Sequence, residues 1–186
     1  MSGGAQTPVA EQPGRPPAGE HGALSCGKPL EFSPEAKRRL DALLTRYPTK
    51  QAALLPTLWL AQNEWGWISK EAVDYVASIL ELAPAFVWGV VTFYTLFNQS
   101  KPGKHQVWVC RTLSCALRGA EGILHHCEKR LKIHAGETTA DGKVTLRTAE
   151  CLASCGSAPM MQVDKTYHEN LTTERVDEIL DRLIAD

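Results

Sequence analysis

Apolar residues recur at intervals of three and four from Phe32 to about Phe97, and after residue 104 they give way to short apolar runs separated by polar breaks. The first pattern predicts helices and the second predicts strands with helices between them. Ser33 before Pro34 supplies a capping hydroxyl and a proline at the first helical position, Leu40, Leu43 and Leu44 form a buried stripe, and Tyr47-Pro48 ends the helix. A second helix is expected from Lys50 to about Glu64, on the spacing of Ala53, Leu54, Leu58 and Ala61, with a kink at Pro56 and a stop at Gly66. Ser69 caps a third, with Val73, Val76, Ala77 and Leu80 inside, and Pro84 opens a short fourth towards Val91. Helices of this length are marginal alone, so a small bundle over residues 32–99 is expected. Of its aromatics, Trp59, Trp65, Trp67, Trp88, Phe93, Tyr94 and Phe97, most are expected in the core. The Glu64-Trp65-Gly66-Trp67 turn and the exit from Phe93 to Phe97 are the candidate interaction surfaces.

Ser100 to Lys104 breaks the periodicity and marks an expected boundary. Beyond it the pattern predicts a strand at Gln106 to Val109, a helix at Gly119 to Lys132, and strands at Val144 to Thr148 and Met160 to Val163. Asp164-Lys165 offers a turn before Tyr167 and His168. A last helix is capped by Thr172, with Leu171 placed to pack on Val176 and with Ile179, Leu180, Leu183 and Ile184 inside. Strand, helix, strand, strand, helix describes a small α/β sandwich of the thioredoxin kind over residues 104–186.

Composition removes several classes of partner. A net charge of −1 offers no broad attraction for nucleic acid or anionic lipid, so partners are expected to be protein. The segment 1–31 is rich in Pro, Gly and Ala, lacks the apolar core of a secretory signal, and reads as a flexible tail. The longest apolar run, Ala85 to Phe97, is interrupted by Thr92 and Thr95 and is shorter than the roughly 20 residues a membrane span needs. A soluble chain with no direct span is expected.

Six cysteines remain to be explained. Cys26 falls in the tail and reads as incidental, while Cys127 shares a helix face with Ile123, Leu124 and Leu131 and reads as a small buried apolar residue. The other four form two pairs, Cys110-x4-Cys115 and Cys151-x3-Cys155, in loops that leave strands and can converge at one end of a sheet. A redox dithiol uses Cys-x-x-Cys, which neither pair has. A structural zinc takes four thiolates in a tetrahedron, and the gaps permit it. A [2Fe–2S] rhomb takes two thiolates on each iron, which two separated pairs supply directly. Iron–sulfur is favoured because helix and strands already provide a core without a metal, but the spacing leaves zinc open.

The residues resemble a known family. Cys110-x4-Cys115, "GETTADGK", "ECLASCGSAPMMQV" and "YHENLT", with "LLPTLWLAQNEWGWIS" and "VVTFYTLF" in the helical half, are similar to the thioredoxin-like [2Fe–2S] subunit of the NADH-oxidising module of respiratory complex I, the NuoE family. The likeness runs from about Phe32 to the C-terminus and fills all four ligand positions with cysteine. It implies that Cys110 and Cys115 hold one iron and Cys151 and Cys155 the other. It also implies a partner flavoprotein that binds FMN and NADH and passes single electrons to the cluster, with the helical half as docking module in the peripheral arm of NADH:quinone oxidoreductase. The chain has no Gly-x-Gly-x-x-Gly run, so it is expected to carry electrons without an NADH or flavin site of its own. The expected location is cytoplasmic and peripheral to the inner membrane, or the matrix side in a mitochondrion. NAD-dependent formate dehydrogenases and NAD-linked hydrogenases use similar subunits and form the alternative. A zinc module that only assembles partners is the alternative of another class.

Around the cluster, backbone N–H groups near Ser154, Gly156 and Ser157 are expected to face sulfur, with Met160 and Met161 keeping one flank apolar. Pro159 stiffens the loop entering the strand, with cis and trans both open, and His125 and His126 are expected at the surface.

Overall fold

The computed structural model describes residues 30–186. The expected tail, apart from Leu30 and Glu31, lies outside the described residues, and Cys26 with it. Two serine caps open helices where the sequence places them. Ser33 Oγ accepts from the Ala36 N–H at 3.2 Å ahead of α1 (Pro34–Leu44), and Ser69 Oγ accepts from the Ala72 N–H at 3.1 Å ahead of α3 (Lys70–Leu80). Each hydroxyl satisfies a first-turn amide that has no carbonyl partner within the helix. Between them α2 (Leu54–Trp65) starts later than its apolar spacing suggests, after a turn that ends at Ala53. Pro56 therefore sits in the first turn, where its missing N–H removes no helical bond, and the expected kink does not arise. α1 also stops short of Tyr47-Pro48, at Leu44. α4 (Pro84–Phe93) completes the helical half.

The four helices share one buried cluster, including Leu40, Leu58, Ile68, Val76, Leu80 and Val87. The aromatics do not lie mostly in it, contrary to expectation. Only Phe97 is buried, Trp65, Trp67 and Tyr94 are half-buried, and Trp59, Trp88 and Phe93 are exposed at 44%, 41% and 76%. The cause is visible in α4, which is apolar nearly all round. Val87 and Val91, one turn apart, occupy its core face, so Trp88 and Phe93 turn outward. A buried polar link then joins the two candidate interaction stretches. Gln62 donates to the Leu96 carbonyl at 3.0 Å and accepts from the Asn98 N–H at 2.6 Å, while the Asn98 carbonyl accepts from the Ile68 N–H at 2.8 Å.

The second half is a four-stranded sheet in the order β2-β1-β3-β4, from β1 (His105–Cys110), β2 (Val144–Ala149), β3 (Met161–Val163) and β4 (Thr166–His168). β1 and β2 are parallel and joined through α5 (Leu113–Leu117) and α6 (Ala120–Leu131), whereas β1–β3 and β3–β4 are antiparallel. α5 and β4 are additional to the predicted elements. α7 (Thr173–Ala185) closes the chain, with Thr172 Oγ1 accepting from the Arg175 N–H at 3.3 Å and Leu171 and Val176 both in the core.

One face of the sheet, with Val107, Val109 and Leu146, packs on Ile123 and Cys127 of α6 and on Val176 and Leu180 of α7. Cys127 is fully buried as expected, and burial, reinforced by Asp177 and Glu128, pushes its thiol pKa up to about 12. On the other face the Arg147 guanidinium lies 5.1 Å above the Trp108 ring, a cation–π contact between neighbouring strands.

Candidate metal centre

The sheet register brings the cysteines to one end. Because β1 and β2 run parallel with Cys110 opposite Ala149, Cys110 ends one strand beside the end of the other, and Cys151 follows just beyond. β3 enters antiparallel from the same end, where the Cys110 N–H donates to the Met160 carbonyl at 3.3 Å. Cys110 is thus the last strand residue and Cys115 lies inside the short helix α5, not both in a loop as the sequence suggested. α5 packs on the 3-10 turn Cys155–Ser157, which brings the helix bearing Cys115 against the turn bearing Cys155.

The two pairs differ in exposure. Cys110 and Cys115 are buried among Ala120, Ala158, Met160 and the half-buried Leu152, while Cys151 and Cys155 face solvent. Desolvation raises the Cys110 pKa, but the N–H and hydroxyl of Thr112, the Leu152 N–H and the Cys115 thiol outweigh it and hold the group below its ordinary value. The Thr112 hydroxyl lies 3.6 Å from Cys110 Sγ. Cys115 goes the other way, raised by burial first, then by Cys110 and the negative charge of Cys155. The Met160 N–H acts in the opposite sense, favouring the Cys115 thiolate. At Cys151 the Ala153 N–H donates to Sγ at 3.3 Å, and the left-handed conformation of Ala153, φ 60°, turns the chain just after that amide.

The amides at sulfur are therefore those of Thr112, Leu152, Ala153 and Met160, rather than the Ser154 to Ser157 set that was expected. The Ser157 N–H instead donates to the Ser154 carbonyl at 3.3 Å. Both serine hydroxyls donate to Glu169 Oε1, that of Ser157 at 2.6 Å, and these two bonds hold the Glu169 carboxyl below its ordinary pKa. Glu169 was not singled out from sequence. Its only signal was its place inside "YHENLT". Met160 packs against Cys110 and Cys115, but Met161 belongs to the sheet core instead of the cysteine flank. The Ala158-Pro159 peptide is cis. His125 is exposed, and His126 is half-buried with Nε2 2.9 Å from Asp177 of α7.

Among the described residues no group of three or more His, Cys, Asp or Glu is arranged around a single metal ion. Thiols in two pairs, the inner one among apolar side chains and the outer one open to solvent, with N–H dipoles at Cys110, Cys115 and Cys151, are a donor set that fits a binuclear cluster taking two thiolates at each iron.

Residues 40–184 match the family model described as thioredoxin-like [2Fe-2S] ferredoxin, and the chain belongs to that family. Among curated proteins it is 42% identical over 158 residues to NADH dehydrogenase [ubiquinone] flavoprotein 2, mitochondrial, of Dictyostelium discoideum, covering 83% of this chain and 64% of that protein. It is 40% identical over 149 residues to an NADH-quinone oxidoreductase subunit of Rickettsia conorii, covering 78% of this chain and 89% of the relative. To an NADH-quinone oxidoreductase subunit of Rhizobium meliloti it is 41% identical, covering 80% and 89%. Among solved structures, an NAD+-reducing [NiFe]-hydrogenase in the air-oxidized state matches with a TM-score of 0.63 at 20% identity, over 71% of this chain and 23% of that one. At that identity the likeness is one of fold.

Proposed function

We propose that this chain is the one-electron relay subunit of an NADH:quinone oxidoreductase. Cys110 and Cys115 hold one iron of a [2Fe–2S] cluster, and Cys151 and Cys155 hold the other. The observation that carries this reading is the parallel β1–β2 register, which sets Cys110 beside the start of the Cys151 loop and brings α5 onto the turn bearing Cys155. When bound, the cluster supplies reversible uptake of one electron. The chain's own residues do the rest. Four thiolates bind, the N–H groups of Thr112, Leu152, Ala153 and Met160 favour negative charge at sulfur, and Met160 and Leu152 keep water from the inner pair.

The names of the relatives support the complex, and the surface supports a docked partner. A cleft of about 750 Å³ runs from Trp59 and Leu96 past Trp108 to Cys151, which links one exposed aromatic of residues 32–99 to one cysteine of the outer pair. In this reading residues 32–99 form a docking bundle, residues 104–186 the cluster domain, and the partner is the FMN- and NADH-binding flavoprotein in the peripheral arm. Among the described residues no helix is long and apolar enough to cross a membrane, in keeping with a peripheral place on the cytoplasmic or matrix side. Affinity purification of the tagged chain from its own cell, with identification of co-purifying subunits, tests the assignment. A flavoprotein together with quinone-site and membrane-arm subunits is expected, whereas a molybdenum or nickel subunit assigns the chain to a formate dehydrogenase or hydrogenase instead.

A further inference from the structure

The loop that carries Cys155 closes on itself where the Ser154 carbonyl accepts from the Ser157 N–H at 3.3 Å, and it is also held from outside. Ser154 and Ser157 bracket Cys155 and Gly156, and the two hydroxyls, 2.8 Å apart, share one carboxylate oxygen of Glu169. The strand-to-helix connection that bears Glu169 continues along the same loop. The Asn170 N–H donates to the Ser157 carbonyl at 2.8 Å, and the Leu171 N–H donates to the Pro159 carbonyl at 3.0 Å. Asn170 takes a left-handed conformation, φ 48°, which turns the backbone between these contacts. Leu171 is buried in the sheet core and Thr172 caps α7, so this connection is anchored at its far end. An exposed cysteine turn is thereby tied to a fixed part of the fold through one side chain and two amides.

We propose that Glu169 is the positioning residue of the outer cysteine pair: its carboxylate clamps Ser154 and Ser157, fixes Cys155 in the geometry that closes the cluster, and leaves a stationary negative charge beside it. The inference rests on the cluster reading above. Charge-assisted hydrogen bonds of this kind are about twice as strong as neutral ones, and losing such an outer support typically costs about 10–100-fold in metal affinity or activity. A fixed anion near a centre that gains an electron also disfavours reduction, by like-charge repulsion. Clamp and charge separate by substitution, because both hydroxyls use the same oxygen. Glu169→Gln keeps an acceptor there and removes the charge, whereas Glu169→Ala removes both.

The test loads wild type, E169Q, E169A and the S154A/S157A pair with iron and sulfide. It follows loss of the visible spectrum to an iron chelator, and measures the midpoint potential by spin-resonance titration. E169A and S154A/S157A are expected to release iron about 10–100-fold faster than wild type, with E169Q close to wild type in release but at a higher potential. Wild-type release rates in both E169A and S154A/S157A overturn the clamp, and an unmoved potential in E169Q overturns the role of the charge. A wild-type chain that takes up no cluster defeats the functional reading instead. Hydrogen exchange on the metal-free chain then decides the clamp by itself: E169A must lose protection at the Ser157, Asn170 and Leu171 amides, and unchanged exchange refutes it.

Discussion

At the C-terminal ends of β1 and β2 the sulfurs of Cys110, Cys115 and Cys151 meet amides from Thr112, Leu152, Ala153 and Met160, and the ion pair beside them, Arg111 with Glu150, is loose at 4.0 Å. At the opposite end of the same strands the arrangement is reversed. His105 lies between Asp164 at 2.8 Å and Asp186 at 3.0 Å, and Lys104 reaches Asp186 at 2.7 Å. The first end balances negative charge with fixed backbone dipoles, which do not titrate and do not move when an electron arrives. The second balances charge with charge, so its strength follows pH. A sheet can thus present a redox-tolerant end and a pH-dependent latch through two kinds of electrostatic partner, and each is open to separate disruption.

The largest expected effect lies at the cysteine end. Cys155→Ser, measured by iron content and far-ultraviolet circular dichroism, should lose or severely weaken the cluster and keep the fold. The exposed turn bearing Cys155 contributes nothing to either large buried cluster. Unchanged iron content removes Cys155 from the ligand set. A much smaller effect is expected at the other end. Hydrogen bonding to Asp164, then to Asp186, raises the His105 pKa despite some desolvation. Its folded value is above the unfolded value of about 6.5, so the protonated ring's contribution is fully present below about pH 6.5 and is lost as pH rises through the folded value. His105→Ala should therefore cost about 0.5–1 kcal/mol near pH 5.5, and thermal melts should show the gap closing towards alkaline pH while cluster content stays constant. A gap that widens with pH contradicts the latch.

How much of this was legible depends on the range of the interaction. Caps are local, and Ser33, Ser69, Thr172 and the stop at Gly66, with φ 81°, all appear where the residues announce them. The two cysteine pairs stand out in the sequence by their spacing, and the parallel β1–β2 register sets Cys110 beside the start of the Cys151 loop. α5 was missed because its apolar Leu113 and Leu117 are 74% and 78% exposed and announce no buried face in five residues. β4 is three residues long and mostly exposed, too short for alternation to register. The α2 start was misplaced because Ala53 continues the apolar spacing but belongs to the turn, which also cancelled the kink at Pro56. The aromatics were misread because an apolar helix has more apolar faces than one neighbouring core can cover. The Glu169 clamp joins residues 12 and 15 positions apart across two strands, and no local pattern encodes it.

The central claim is that two pairs of thiols at one sheet end cage iron and sulfide together. Anaerobic isolation of the chain alone, with iron and acid-labile sulfide assayed and the dithionite-reduced sample examined by electron paramagnetic resonance, tests this most directly. The expected result is a coloured protein with about two irons and two sulfides per chain and the signal of a single one-electron-reduced centre. A colourless protein that holds zinc, has no labile sulfide and gives no signal on reduction would contradict it.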